Sequence, residues 1–250
     1  MFVHSLEVRS SALALIAGGL NDCEVARRTG IPRTTIRDWR APTYVPRTAA
    51  YGLRCPRCWQ AAYRRIAFTE ADYAELLGLY LGDGHIVQAG RTMRLRVFLD
   101  ARYPEIIRQV RSILERSFPE NGVSLCVLKD TTAVLSLYSS HLPCLFPQHG
   151  PGQKHKRPIV LESWQERILH AEPWSFLRGC IWSDGCVFVN RTGAYSYLSY
   201  EFANYSTDIR ALFTQACELV GVSYRVYGTR VRMCQRESVN LLAANVGGKQ

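Results

Sequence analysis

The chain has 250 residues and a formal net charge of +10, carried mostly by arginine. Hydrophobic residues make up 47% of it, which excludes an intrinsically disordered chain and allows a folded core. Arginine binds phosphate bidentately and stays charged, so a polyanionic partner is indicated. No apolar run approaches the ~18 residues of a membrane helix, and no signal-peptide pattern is present. We therefore expect a cytoplasmic protein whose nine cysteines stay reduced.

Residues 1–42 are assigned to a small helical unit. Gly18 ends an apolar helix, Asn21 is a suitable N-cap for the next helix, and Gly30 provides the turn before a third. The stretch EVARRTGIPRTTIRDW is similar to the DNA-binding helix-turn-helix of resolvases and related regulators. The alternative is a basic helical hairpin without a partner. By the resemblance, the residues carried toward a major groove would be Arg33, Thr34, Thr35, Arg37 and Arg40.

Residues 43–67 are assigned to a basic linker that prolines interrupt. Within it, Cys55 and Cys58 have the CxxC spacing, and two thiolates at this spacing can bind zinc. A structural zinc site needs four ligands, and no second pair follows at a suitable distance. A half-formed zinc knuckle, a complete site and unliganded thiols all stay open. The cysteines expected to be buried in apolar stretches are Cys126, Cys144, Cys180, Cys217 and Cys234.

The rest of the chain divides into two repeats, residues 68–160 and 161–250. In the first, Thr69 is the expected N-cap of a helix that ends at Gly-Asp-Gly. In the second, Ser206 is the expected N-cap of an inner helix. Both repeats have the order helix, two strands, helix, two strands. The sequence therefore predicts an α+β fold with a duplicated core.

Each repeat opens on a related nine-residue motif, LLGLYLGDG at 76–84 and LRGCIWSDG at 177–185. A glycine at the third place lets two helices pack closely, and the final glycine allows a non-helical turn. An aspartate at each of two adjacent helix ends brings two carboxylates together, and they repel unless a divalent cation lies between them. The alternative is that each Asp-Gly is only a turn from helix to strand. Two copies at matching places of a repeat favour the functional interpretation.

These motifs and the element order resemble the LAGLIDADG homing endonucleases in their two-motif, single-chain form, from about Glu70 to the C-terminus. The resemblance implies a duplicated αββαββα core with two saddle-forming antiparallel sheets. It implies that Asp83 and Asp184 are the catalytic acids, that they bind Mg²⁺, and that the protein is a pseudo-twofold symmetric monomer on double-stranded DNA. An acid at the sixth motif place is absent, because Leu81 and Trp182 stand there. The carboxylate at the eighth place is kept twice.

Basic and polar side chains on the strands and connecting loops are the candidates for DNA contact, although strand register cannot be fixed from sequence. Gln88, Lys129 and the segment 154–156, which includes His155, are candidates for ordering water near a scissile phosphate. His85 directly follows the first Asp-Gly and could lie near the site. The residues expected to contact DNA in the core are Arg94, Arg96, Lys129, Lys154, Lys156, Arg230 and Arg232; Arg91, Tyr195, Tyr197 and Arg225 are further candidates.

The function expected from the resemblance is sequence-specific binding of double-stranded DNA with divalent-metal-dependent cleavage, in a protein associated with the nucleoid when bound. The alternative is a transcriptional regulator that uses the same core and helix-turn-helix without cutting. Association with an intein is disfavoured, because the C-terminus lacks the His-Asn end of a splicing block.

Overall fold

The computed structural model describes residues 6–40, 66–129, 131–192 and 195–249. The chain divides into two compact units, residues 1–52 and 53–250. Cys55 and Cys58, and with them the proposed zinc ligands, lie outside the described residues.

The first unit contains α1 (Leu6–Ala17), α2 (Asp22–Thr29) and α3 (Arg33–Arg40). The side chain of Asn21 accepts hydrogen bonds from the backbone of Cys23 and Glu24, which begins α2 as expected. Gly30 ends α2 with a φ of +71°, in the left-handed region that favours glycine. A small core holds the three helices together; it consists of Ala12, Val25, Ile31, Ile36 and Trp39.

The second unit contains two successive sets of helices and strands. In the first set, one helix, two strands, a second helix and two strands are followed by a short helix. The second set is preceded by an extra helix and then has the same order. The elements are α4 (Glu70–Gly82), β1 (Gly84–Ala89), β2 (Thr92–Asp100), α5 (Pro104–Ser117), β3 (Ser124–Leu128), β4 (Thr132–Tyr138), α6 (Leu142–Leu145), α7 (Ser163–Ala171), α8 (Pro173–Asp184), β5 (Gly185–Thr192), β6 (Tyr195–Ala203), α9 (Thr207–Leu219), β7 (Arg225–Tyr227), β8 (Arg230–Met233) and α10 (Arg236–Asn245).

The strands form two four-stranded antiparallel sheets of the same topology. Sheet 1 has the order β1-β2-β4-β3 and sheet 2 the order β5-β6-β8-β7. Gly84 pairs with Val97 in sheet 1, and Gly185 pairs with Phe202 in sheet 2. Each sheet therefore begins its first strand at the motif glycine. The α+β fold with a duplicated αββαββα core, expected from the sequence, is confirmed.

The side chains on one face of each sheet pack with the helices into one hydrophobic core. Leu95, Val97 and Leu99 alternate with half-buried residues along β2, so β2 has one face in the core. The caps predicted at Thr69 and Ser206 are present, since each side chain accepts a backbone N–H of its helix. Helix α7 was not predicted. It begins after Glu162, whose capping box with Gln165 is made without the usual Ser or Thr.

The prediction that five cysteines are buried is only partly correct. Cys180 and Cys217 are buried, whereas Cys144 and Cys234 are intermediate and Cys126 is exposed. Cys126 lies on β3, an edge strand whose residues are all exposed, so an apolar local sequence did not imply burial there. All described cysteines are free thiols. None of the described helices is long and apolar enough to cross a membrane.

Candidate active site and nucleic-acid interface

The two motif helices, α4 and α8, pack against each other at their glycines. A Cβ atom added at Gly78 would lie 2.5 Å from the carbonyl oxygen of Phe176 and 2.8 Å from the backbone nitrogen of Cys180. A Cβ atom at Gly179 would clash in the same way with the carbonyl oxygen of Glu75. The third motif glycine thus allows the close backbone approach that the sequence predicted.

This packing brings the C-terminal ends of α4 and α8 together, and with them Asp83 and Asp184. Asp83 is the C-cap of α4, and Asp184 is the last residue of α8. A Cβ atom at Gly82 would lie 3.2 Å from Oδ2 of Asp184, so this carboxylate lies directly against the end of α4. The same oxygen accepts a 2.6 Å hydrogen bond from Nδ2 of Asn204, which fixes its orientation.

The environment of the two acids opposes their ionisation. Burial raises the pKa of Asp83 to about 6, and the neighbouring Asp184 carboxylate adds to the increase, while Lys249 and Lys154 lower it. Burial also raises the pKa of Asp184, against the Asn204 hydrogen bond and the same two lysines. A pair of partly desolvated carboxylates of this kind is a site where added positive charge would be strongly bound.

Lys154 and Lys249 supply the positive charge of the described structure at this site. Lys154 donates hydrogen bonds to the carbonyl oxygens of Leu81 (2.9 Å) and Gly82 (2.7 Å), and a third to that of Tyr80. Lys249 donates one, at 2.7 Å, to the carbonyl oxygen of Ser183. Each ammonium group therefore binds the negative end of one motif helix. Burial lowers the pKa of Lys154 to about 8 and lowers that of Lys249 as well.

A cavity of 480 Å³ opens beside Asp184. Burial and the nearby cations Arg96, Lys154 and Arg157 lower the pKa of His85, which favours its neutral form. Gln88, another candidate, points to the other face of β1, where it donates to the carbonyl oxygen of Gly90. Polar residues of both repeats line the cavity; they include His85, His149, Lys154, His155, Arg157, Asn204 and Tyr205.

The face of sheet 1 opposite the core, hereafter polar face 1, carries two of the predicted DNA contacts. The register places Arg94 opposite Tyr138 and Arg96 opposite Ser136. The guanidinium of Arg94 donates a 2.9 Å hydrogen bond to the Ser136 hydroxyl, and that of Arg96 lies 5.1 Å from the Phe98 ring centroid. Nε of both arginines is buried without a hydrogen-bond partner. Polar face 1 carries His85, Arg94, Arg96, Phe98, Ser124, Ser136 and Tyr138.

The corresponding face of sheet 2, polar face 2, carries Arg230 and Arg232, but these arginines are paired with an acid. Glu201 accepts two hydrogen bonds from Arg232, at 2.6 and 2.9 Å, and lies 3.5 Å from Nη1 of Arg230. The sequence prediction missed Glu201, because its contact with β8 depends on strand register. Polar face 2 carries Cys186, Phe188, Glu201, Arg225, Tyr227, Arg230 and Arg232.

The remaining predicted contacts are mostly exposed side chains. Lys129 follows β3 with a φ of +50° and is exposed, as is Lys156. In the first unit, Arg33, Thr34 and Arg37 are exposed on α3. Thr35 is half-buried, and Arg40 forms a 3.1 Å ion pair with Asp22.

The paired carboxylates of Asp83 and Asp184 form an acidic centre. Lys249 and Asn204 lie beside this centre, but they were not identified from the sequence. A signal for Lys249 exists, because two closely spaced glycines precede Lys154 at the end of the first repeat and Gly247-Gly248 precede Lys249 at the end of the second. Asn204 directly follows β6, and only the packing of that strand end beside α8 brings it to Asp184.

The donor set of the acidic centre fits a hard divalent cation. Magnesium prefers oxygen ligands and commonly binds one or two carboxylates together with water and substrate phosphate oxygens. Asp83 and Asp184 provide such a pair. Across the described ranges, no group of three or more His, Cys, Asp or Glu side chains could enclose a metal.

Comparison with solved structures identifies the fold. Variants of the homing endonuclease I-DmoI are 14–15% identical to this chain, with a TM-score of 0.50, and the match covers 71% of this chain and 96% of theirs. One of them is described as a complex with target DNA in the presence of magnesium. The N-terminal LAGLIDADG domain of WhiA is 16% identical over 72% of this chain and 83% of that domain, with a TM-score of 0.47.

The chain thus has the LAGLIDADG fold, in its two-motif form, as the motif resemblance implied. Comparisons with protein-family models and with curated protein sequences give no match.

Proposed function

We propose that the chain binds double-stranded DNA in a sequence-specific manner and hydrolyses it. Asp83 and Asp184 would hold the divalent cation that this hydrolysis requires. The observation that carries this proposal is the meeting of two half-buried aspartates at the ends of packed helices, each helix end bound by a lysine. A helix-to-strand turn alone would require neither the paired carboxylates nor the two lysines. I-DmoI, which has the same fold, has been captured with its target DNA in the presence of magnesium.

The polar faces of the two sheets support duplex binding. Each polar face carries two arginines, Arg94 and Arg96 on face 1 and Arg230 and Arg232 on face 2. Arginine is a residue type that contacts DNA phosphates and guanine edges. The first strand of each sheet begins at a motif glycine, next to the acidic centre. Each repeat therefore supplies one polar face that starts at this centre. A duplex lying along both faces would have a phosphate of each strand near the two aspartates.

In this proposal, Mg²⁺ would be held by Asp83 and Asp184 and would supply Lewis-acid stabilisation of a phosphate and its attacking water. Lys154 has all three N–H groups bound to carbonyl oxygens, so it neutralises the end of α4. Among the described residues, Lys249 makes a single hydrogen bond and retains two N–H groups for a phosphate oxygen. Lys249 is thus the better placed of the two lysines to stabilise negative charge that develops on phosphate.

The test uses the full chain and a randomised duplex library in two steps. Bound duplexes are first selected in EDTA, and the selected pool is then incubated with magnesium while its ends are sequenced. We expect a defined pair of cleavage positions that requires magnesium. Asp83→Asn and Asp184→Asn should bind the same pool and not cleave it. Failure of the wild-type chain to select any sequence would contradict the binding part, and binding without cleavage would contradict the hydrolysis part.

A second candidate is a non-cleaving transcriptional regulator that uses the same core. The observation that favours it is the exposed basic face of α3, where Arg33 and Arg37 have no hydrogen-bonding or ionic partner among the described residues. This helix would read a major groove independently of the acidic centre. The two candidates differ in the second step of the test, because a regulator would select a site and leave it intact in magnesium.

A further inference from the structure

The two polar faces differ most in the row of residues next to the acidic centre. In sheet 1 this row runs from His85, one residue after the motif glycine, to Arg96, Ser136 and Ser124 across the four strands. In sheet 2 the row at the same register runs from Cys186 to Glu201, Arg232 and Arg225. Arg96 and Glu201 therefore occupy equivalent positions and have opposite charges.

Glu201 binds one edge of the Arg232 guanidinium, the edge formed by Nε and Nη2. Its Oε2 accepts hydrogen bonds from both Nε (2.9 Å) and Nη2 (2.6 Å) of Arg232. The guanidinium also lies 5.5 Å from the ring centroid of Phe188 and 5.7 Å from that of Tyr227. These contacts restrict the rotamers of a side chain that is usually mobile.

Arg232 still has N–H donors available for a ligand. Nη1 of Arg232 makes no hydrogen bond within the described residues, and the side chain keeps 34% of its surface exposed. The Glu201 side chain is only 10% exposed, so the carboxylate is less accessible than the guanidinium that it binds. The free end of the guanidinium has the two-donor geometry that pairs with O6 and N7 of guanine in the major groove.

We infer that Glu201 and Arg232 act as one recognition unit, in which Glu201 is a positioning residue that commits Arg232 to a guanine near the acidic centre. The inference deepens the proposed function and rests on its DNA-binding part. A carboxylate on a DNA-binding face repels phosphate, so the presence of Glu201 beside Arg232 favours base recognition over phosphate binding. Arg96 has no carboxylate partner in the described part of the chain and is suited to phosphate, which gives affinity without base preference.

The test selects duplexes from a randomised library in EDTA with the wild-type chain, Glu201→Gln and Arg232→Lys. We expect one base pair in the wild-type pool to be strongly enriched in guanine, and each variant to lose that preference by roughly tenfold or more. Glu201→Gln removes a negative charge. Its binding to a non-selected duplex should therefore be equal or tighter, with salt dependence steeper by about one ion.

Arg96→Gln at the equivalent position of sheet 1 is the matched variant. It should weaken binding to all duplexes alike and make the salt dependence shallower, without changing the preference at the guanine. Melting temperatures of the variants separate folding from recognition. A Glu201→Gln protein that keeps the guanine preference would overturn the inference while leaving DNA binding intact. Equal losses on selected and non-selected duplexes, with a lower melting temperature, would overturn it in favour of a structural role. A wild-type chain that binds no duplex would overturn the proposed function and the inference together.

Discussion

Lys154 and Lys249 bind the C-terminal carbonyl groups of the two motif helices, one lysine to each helix, directly beside Asp83 and Asp184. The two lysines nevertheless differ in what they leave free. Lys154 uses three N–H groups on α4, whereas Lys249 uses one on α8. The two lysines thus lie at equivalent helix ends of the duplicated fold, but they differ in the number of N–H groups left to bind a substrate.

Replacing each lysine by methionine should separate these roles. Lys154→Met removes three hydrogen bonds and the charge that neutralises the end of α4, so we expect a loss of unfolding free energy of about 2 kcal/mol or more. Lys249→Met should cost ~1 kcal/mol or less in stability and reduce duplex cleavage by roughly a hundredfold. Thermal denaturation and single-turnover cleavage measure the two effects. Equal destabilisation by both variants would contradict the difference in bonding.

The helix crossing should be intolerant of a single methyl group. Gly78→Ala places a Cβ atom 2.5 Å from a backbone carbonyl oxygen of α8, and backbone atoms cannot move aside cheaply. We expect a loss of about 3 kcal/mol or more, as in overpacked cores. Gly122→Ala is the matched control, because a Cβ atom there has no neighbour within 4 Å. Chemical denaturation measures both, and an equally mild effect at Gly78 would refute the close approach.

The partly buried pair of Glu75 and Arg178, which joins the two motif helices, should make stability depend on pH. Burial raises the pKa of Glu75 to about 7, from its ordinary 4.5, although Arg178 donates to it at 2.9 Å. The folded state therefore keeps a proton that the unfolded chain releases, and this contribution is complete below pH 4.5 and lost as the pH rises through about 7. Glu75→Gln cannot lose that proton.

We accordingly compare the unfolding free energies of the wild-type chain and Glu75→Gln at several pH values. Between about pH 5 and about pH 8 the difference should shift by about 2 kcal/mol in favour of Glu75→Gln. The comparison removes contributions from other titrating groups, since both proteins share them. Parallel stability curves would show that Glu75 is ionised throughout, held so by Arg178.

The exposed arginines of α3 should contribute to duplex affinity if the first unit binds DNA. Replacing Arg33 and Arg37 together by alanine should weaken binding and reduce the salt dependence by about two ions. Arg111→Ala is the control. Arg111 is an exposed arginine on helix α5 of the second unit, and it is already paired with Glu115 at 2.8 Å. Fluorescence anisotropy at several salt concentrations provides the measurement. Identical affinities in all three proteins would exclude α3 from the interface.

The elements of this fold could be predicted where the signals were local. Thr69 and Ser206 hydrogen-bond backbone groups a few residues away, so their caps can be read from sequence. The motif glycines were recognised because the same pattern occurs twice. Helix α7 was missed because Glu162 and Gln165 form an unusual capping box.

The chemistry of the site was less accessible, because it depends on residues brought together by folding. The places of Arg232 and Glu201 follow from the pairing of β6 with β8, and a shift by one residue would have moved either to the core. Lys249 reaches Ser183 only because the end of the chain lies beside α8. Local sequence identified the two acids and Lys154, whereas only the tertiary structure identified Lys249 and the Asn204 amide beside them.

The central claim is that Asp83 and Asp184 together hold a divalent cation at a bound duplex. The most direct measurement is anomalous diffraction from crystals of the complex with a selected duplex and manganese. We expect an anomalous peak within coordination distance of both carboxylates, at about 2.0–2.2 Å for a hard cation, and no such peak in Asp184→Asn crystals. A well-ordered duplex on the two polar faces, with no peak at the aspartates, would contradict the claim and favour a protein that binds DNA without cutting it.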